Sequence, residues 1–307
     1  MTALLFILKD IILPIFIIMA IGYILQKKFK LDLSTLAKLN IYFVVPAFIF
    51  VKLYESSFTM QLFVNVLSFF ILLVVLLYII ASITAKIMKM DNKKKTTFAN
   101  STMFFNSGNY GVPVNDLVFK SDPYAMSIQV IMLTLQNIFV FSYGIFSLKS
   151  ADVGKLKAAL GYFKMPVLYA MLSGVLLNYW NVPIPDFIWV PAHYIADAMV
   201  ALALLTLGAQ VANLKKIAIS SFVLVSGGIR LIIGPTLALA IIYLFNVDGI
   251  TAQSLLIASS MPTAVNSAVI AQEYNSHPEL AAQTVLFSTI CSSLSVAFVI
   301  YLGSVLF

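Results

Sequence analysis

Ten apolar runs of membrane-crossing length, divided by short polar connections, follow one another along this 307-residue chain. They lie at roughly 4–25, 36–54, 61–88, 97–119, 123–148, 163–179, 189–212, 219–245, 250–273 and 279–306. A helix needs about 20 residues to cross the hydrocarbon of a bilayer, and lipid gives an open backbone no hydrogen-bond partner. The pattern therefore predicts an all-α membrane protein of ten transmembrane helices. The composition agrees, with 61% hydrophobic and 10% charged residues and a mean hydropathy of +1.00. An ordinary soluble domain carries about 25% charged residues. The first run is too long for a leader's core and lacks a small-residue cleavage site, so it reads as a retained span.

The net charge of +7 comes from lysines placed in loops, which is a topology signal and not a nucleic-acid footprint. Connections after odd-numbered runs hold fifteen lysines, at positions 27, 28, 30, 38, 86, 89, 93, 94, 95, 149, 155, 157, 164, 215 and 216. The other side holds three, Lys9, Lys52 and Lys120. The bias predicts cytoplasmic odd loops and both termini outside a cell membrane. A single cysteine, Cys291, and two distant histidines, His193 and His277, offer neither a disulfide framework nor metal-ligand spacing. No cofactor is expected, and no nucleophile, base or acidic cluster at depth suggests an intramembrane enzyme.

Two five-span halves must run in opposite directions, so likeness between them implies an inverted repeat. Pro14, Met19, Gly22 and Leu25 recur as Pro166, Met171, Gly174 and Leu177. Residues 1–148 and 163–307 are read as the two repeats, with 149–162 as a basic, amphipathic cytoplasmic linker lying on the membrane surface.

The fourth span of each half is the unusual one. Asn106, Ser107, Gly108, Asn109, Tyr110, Gly111, Val112 and Pro113 put helix-weakening residues at mid-span. Met261, Pro262, Thr263, Ala264, Val265, Asn266 and Ser267 do the same in span nine. Freed polar groups at depth are tolerated where they are buried in protein or line a cavity. Spans four and nine are thus expected to be broken helices crossing at mid-membrane, with a second half-helix starting near Pro113. Half-helix N-termini would then converge on an anionic group. Asn106, Asn109, Thr263 and Asn266 add neutral hydrogen bonds, and Gln136 and Asn137 of span five are placed to line the same cavity or to bind neighbouring helices.

Arg230, the single arginine, falls inside span eight. A cation at that depth is costly and implies a partner. Two readings stand: a structural pair with Asp197 of span seven, or attraction of an anionic substrate. Gly208 and the Gly227-Gly228 pair are read as close-packing positions, and Lys52, Glu55, Trp180 and Trp189 as interfacial groups.

The Asn-x-Gly-Asn-x-Gly-x-Pro run at 106–113 resembles the span-four signature of the auxin efflux carrier family, which includes plant PIN proteins and bacterial malate or malonate permeases. Leu39-Asn40 with Pro46-Ala47-Phe48, Leu205-Thr206-Leu207-Gly208, Arg230 with Pro235, and Pro262 through Tyr274 carry the resemblance along nearly the whole chain. It implies two inverted five-helix repeats related to the bile-acid sodium symporter fold. Spans one, two, six and seven would form a scaffold, often dimeric, and spans three, four, five, eight, nine and ten a domain moving like an elevator. The short central connection is unlike the long loop of many plant carriers, and Ser267 stands where plant members can carry a second proline.

Together these readings lead to a carrier of small organic anions, such as malate-like carboxylates. The residues nominated for substrate are Asn106, Ser107, Gly108, Asn109, Pro113, Gln136, Asn137, Arg230, Pro262, Thr263 and Asn266. A sodium-coupled symporter of a larger amphipathic or auxin-like anion, and a channel or sensor, are the alternatives. Sodium, protons or neither would drive transport, and membrane lipid and a second copy of the chain are the expected partners.

Overall fold

The computed structural model describes residues 2–56, 59–149, 166–213 and 219–307. In chain order its helices are α1 (Leu4–Phe29), α2 (Leu33–Glu55), α3 (Met60–Ile87), α4 (Asn92–Met103), α5 (Val112–Phe119), α6 (Pro123–Leu148), α7 (Pro166–Tyr179), α8 (Asp186–Asn213), α9 (Ser221–Leu244), α10 (Gly249–Ser259), α11 (Val265–Glu273) and α12 (Pro278–Leu306). Seven of them, α1, α2, α3, α6, α8, α9 and α12, are long and apolar enough to cross a bilayer, while α7 and α10 are shorter apolar helices. The protein is thus a multi-pass membrane protein. The expected linker at 149–162 lies, apart from Lys149, outside the described residues, as do Lys215 and Lys216 and the start of the run expected at 163–179.

Side chains in several connections mark where a helix begins. Asp32 accepts from Ser34 N (3.0 Å), Thr59 from Leu62 N (3.2 Å), Asp91 from Lys94 N (3.0 Å) and Asp122 from Ala125 N (2.9 Å). Each satisfies one of the amide donors that a helix start leaves without an intrahelical partner.

Prolines inside the spans are absorbed by a recurring device. Wide π turns at Leu8–Ile12, Asn40–Val44, Ser107–Gly111 and Ile229–Ile233 each lead into a helix whose second residue is proline: Pro14, Pro46, Pro113 and Pro235. Proline lacks an N–H and its ring presses on the carbonyl four residues back. One added residue in the preceding turn relieves that clash without ending the helix. An α-helix starts near Pro113 as expected, at Val112, with the wide turn leading into it. Helical structure resumes at Ser107, capped by the Asn106 side chain on Asn109 N at 3.1 Å.

Two sets of helices emerge from the packing. In one, α1 lies along α8 and α2 along α7 and α8. The α1–α8 contact is so close that a Cβ on Gly22 would run into the Leu205 backbone and one on Gly208 into the Met19 backbone. In the other set, α3, α6, α9 and α12 surround the short helices α4, α5, α10 and α11.

Candidate functional site

At the centre of the second set, two breaks in helical structure cross. Phe105, between α4 and the Ser107–Gly111 turn, pairs with Thr263, between α10 and α11, as an antiparallel bridge. Asn106 N donates to Pro262 O (2.7 Å), and Ala264 N donates to Phe104 O (2.8 Å). A helix ordinarily leaves its last carbonyls unpaired, and at this depth water cannot serve them. Here specific groups do. Ser101 O accepts from Thr263 Oγ1 (2.9 Å) and Thr102 O from Arg230 Nη1 (3.1 Å). On the other strand, Ser259 O accepts from Arg230 Nη2, and Thr263 N donates to Ser288 Oγ (3.1 Å).

The opposite ends of the breaks face a cavity of about 60 Å³. The N-terminus of the Ser107–Gly111 turn with α5 enters it through Asn106, Ser107, Gly108 and Asn109, and that of α11 through Ala264, Val265 and Asn266. Gln136, Asn137, Leu133 and Val140 of α6 form another wall, while Asn40 and Val45 of α2, Val167 of α7 and Thr206 and Gln210 of α8 close the far side. Gln129 of α6 keeps the turn in shape by donating to Ser107 O (2.7 Å) and Ser107 Oγ (3.0 Å). Among the described residues, none lining the cavity is charged. The positive potential there comes from two helix N-termini, each equivalent to about half a charge.

Several wall atoms are buried without a hydrogen-bond partner among the described residues: Asn106 Nδ2, both Gln136 Nε2 and Oε1, Asn40 Oδ1 and Gln210 Oε1. A buried polar atom left unpaired costs about 1–3 kcal/mol. Such groups gathered on one small cavity are what a polar ligand satisfies on binding.

Of the residues nominated from sequence, Asn106, Ser107, Gly108, Asn109, Gln136, Asn137 and Asn266 line this cavity. Pro113, Pro262, Thr263 and Arg230 do not. Thr263 and Pro262 build the crossing, and Pro113 lies in the first turn of α5. Arg230 neither pairs with Asp197 nor lines the cavity. It is fully buried behind the crossing and bonded to backbone carbonyls, while Asp197 is exposed at the kink in α8. Asn40, Thr206 and Gln210 were not nominated, yet they form the far wall; Asn40 Nδ2 donates to Thr206 Oγ1 at 3.2 Å. Their signal in the sequence is a lone polar residue inside an apolar run. Glu55 contacts Lys52 (3.5 Å) and His193 (3.2 Å) away from the cavity, as an interfacial cluster would.

Comparison with known proteins brings in a family. A model described as membrane transport protein matches residues 7–300. An uncharacterized transporter of Methanothermobacter thermautotrophicus is 27% identical, the match spanning 93% of this chain and 95% of that protein. An uncharacterized transporter of Methanocaldococcus jannaschii is 26% identical over 94% of this chain and 96% of its own. Auxin efflux carrier component 6 of Arabidopsis thaliana is 29% identical over 41% of this chain and 23% of that carrier.

Proposed function

Since the chain belongs to the membrane transport protein family, the family of the auxin efflux carriers, we propose that it is a secondary carrier of small organic anions, working by an elevator-like motion about the α4–α5 and α10–α11 crossing. The observation that carries this reading is the cavity. Two helix N-termini open onto it, and unpaired carboxamide atoms of Asn106 and Gln136 stand in its wall. A carboxylate accepts from such donors and is favoured by both dipoles. Its hydroxyl or second polar group would meet the free acceptors at Gln136, Asn40 and Gln210.

In this reading the chain crosses the membrane ten times as two inverted repeats, with both termini outside. The broken helices count as spans four and nine, and α7 as span six. The close packing among α1, α2, α7 and α8 supports their role as a scaffold. The cavity lies where that set meets the other, so sliding one set along the other would carry the ligand across. A homodimer formed through the scaffold and coupling to sodium or protons belong to the same proposal.

Uptake by proteoliposomes tests it. Radiolabelled C3–C5 carboxylates are offered with imposed sodium, proton or no gradients. Saturable uptake of a carboxylate is expected, and the gradient that accelerates it identifies the coupling ion. Single-channel currents, or binding without flux, would refute the carrier.

A further inference from the structure

Among the described residues the buried cation Arg230 has no anionic partner, and its surroundings explain why. Arg230 is 0% exposed, and no acidic side chain pairs with it among the described residues. Its two terminal nitrogens donate to different helices: Nη1 to Thr102 O of α4, Nη2 to Ser259 O of α10. Both carbonyls belong to the last turn of a half-helix that stops at the crossing. Each such end carries about half a negative charge, so two together offset one guanidinium. The planar fork of arginine can bind two acceptors at fixed separation, which a lysine ammonium cannot do in the same way. The face of Phe105, the residue that pairs with Thr263, lies 5.2 Å from the guanidinium carbon. Gly234, one turn further along α9, makes room: a Cβ there would come within 2.6 Å of Nη2.

We propose that Arg230 is a positioning residue that fastens the C-terminal ends of both half-helices to α9, so that the crossing and α9 form one rigid unit while the two N-terminal ends stay open to the cavity. The four half-helix ends are thereby sorted by charge. The negative ends are bound to Arg230, and the positive ends remain unopposed where a ligand binds. Gly234 belongs to this device as the seat of the guanidinium.

Hydrogen exchange followed by mass spectrometry on the purified full chain tests it independently of any substrate. Arg230→Met is expected to speed exchange in the segments around 102–106 and 259–264 together, by about tenfold or more, the scale of a lost hydrogen bond to a charged group. Gly234→Ala should loosen the same two segments by displacing the guanidinium, and should add little in the Arg230→Met background. Arg230→Lys should fall between. Should Arg230→Met fail to fold, Gly234→Ala and Arg230→Lys carry the test. Loosening of one break alone, a uniform rise throughout the protein, or additive effects of the two substitutions would overturn the proposal. A second readout applies once a transported carboxylate is in hand. The preference for it over its uncharged amide should survive Arg230→Lys, and collapse of that preference would assign Arg230 to the ligand instead.

Discussion

Phe105 and Thr263 meet as an antiparallel bridge, the one extended pairing among the described residues, although they come from opposite halves of the chain. Each lies in a short stretch where a helix has stopped and another has not begun. An unpaired backbone group in hydrocarbon costs several kcal/mol, and a lone break would carry several. Crossing the two breaks lets each serve the other: Asn106 N with Pro262 O, Ala264 N with Phe104 O, and Thr263 Oγ1 with Ser101 O. The same act brings four helix ends to one point, which gives the site its electrostatic character without a charged wall.

The close contact of α1 and α8 gives a first test of the packing. A side chain at Gly208 has nowhere to go, since the Met19 backbone already fills the space. Gly228 in α9 has nothing within 4 Å of where its Cβ would stand. Gly208→Val should therefore cost about 1–3 kcal/mol through overpacking, lowering the thermal unfolding midpoint in detergent. Gly228→Ala should leave the midpoint unchanged or raise it, because glycine is a poor helix former. Equal midpoints for the two variants would contradict the close crossing.

The breaks were legible in the sequence because glycine, asparagine and proline are costly in a helix, and two such clusters at mid-span have no other economical explanation. The wide turn that leads into α5 was not legible. Proline at 113 marks the start of α5 at Val112, but nothing in the residue types marks the wide Ser107–Gly111 turn that precedes it. Arg230 was legible as a residue that needs partners, and the sequence could suggest only side chains such as Asp197. Its partners are backbone carbonyls, which every residue carries and which become available only where a fold leaves helix ends open. Asn40 and Gln210 were overlooked for a related reason. A lone amide in a span usually binds a neighbouring helix, and only the three-dimensional wall shows an oxygen of each left without a partner.

At the polar margin, Asp91 starts α4, and the Lys94 N–H bond to its side chain holds the carboxyl below its ordinary value of 3.8. His277 adds to this as a nearby charge, its Nε2 lying 3.9 Å from Asp91 Oδ1. A lowered folded-state pKa means that the ionised cap contributes above the unfolded value and is lost as pH falls through the folded one. Asp91→Ala should thus unfold at a lower temperature than the native protein at pH 7. The gap should close as both are acidified below about pH 4, near the ordinary aspartate range. A gap that persists unchanged at acid pH would show that the carboxylate does not make the cap.

Asn106 has two separable tasks. Its Oδ1 caps Asn109 N, and its Nδ2 stands unpaired at the cavity wall. Asn106→Ala removes both, and the lost cap alone costs about 0.5–2 kcal/mol. Asn106→Asp keeps the acceptor and places a negative group where two helix N-termini favour one. It should fold and reach the membrane as well as the native chain, yet fail to take up carboxylates at neutral pH because it occupies their electrostatic niche. Uptake by Asn106→Asp at the native rate would remove Asn106 from the binding site.

Gln136 sets stability against function most directly. It is 3% exposed, and neither its Nε2 nor its Oε1 has a hydrogen-bond partner among the described residues. A group kept only for packing would be better replaced by an apolar one. Gln136→Leu removes the unpaired atoms and should raise the thermal unfolding midpoint, or at least not lower it, by relieving about 1–3 kcal/mol of desolvation. The same variant should lose most carboxylate uptake, since the cavity would keep its shape but lose a donor and an acceptor. Gln136→Glu, which buries a charge, should lower the midpoint instead. Loss of stability in Gln136→Leu together with intact uptake would reverse the assignment, making Gln136 a structural residue and leaving ligand recognition to the helix ends alone.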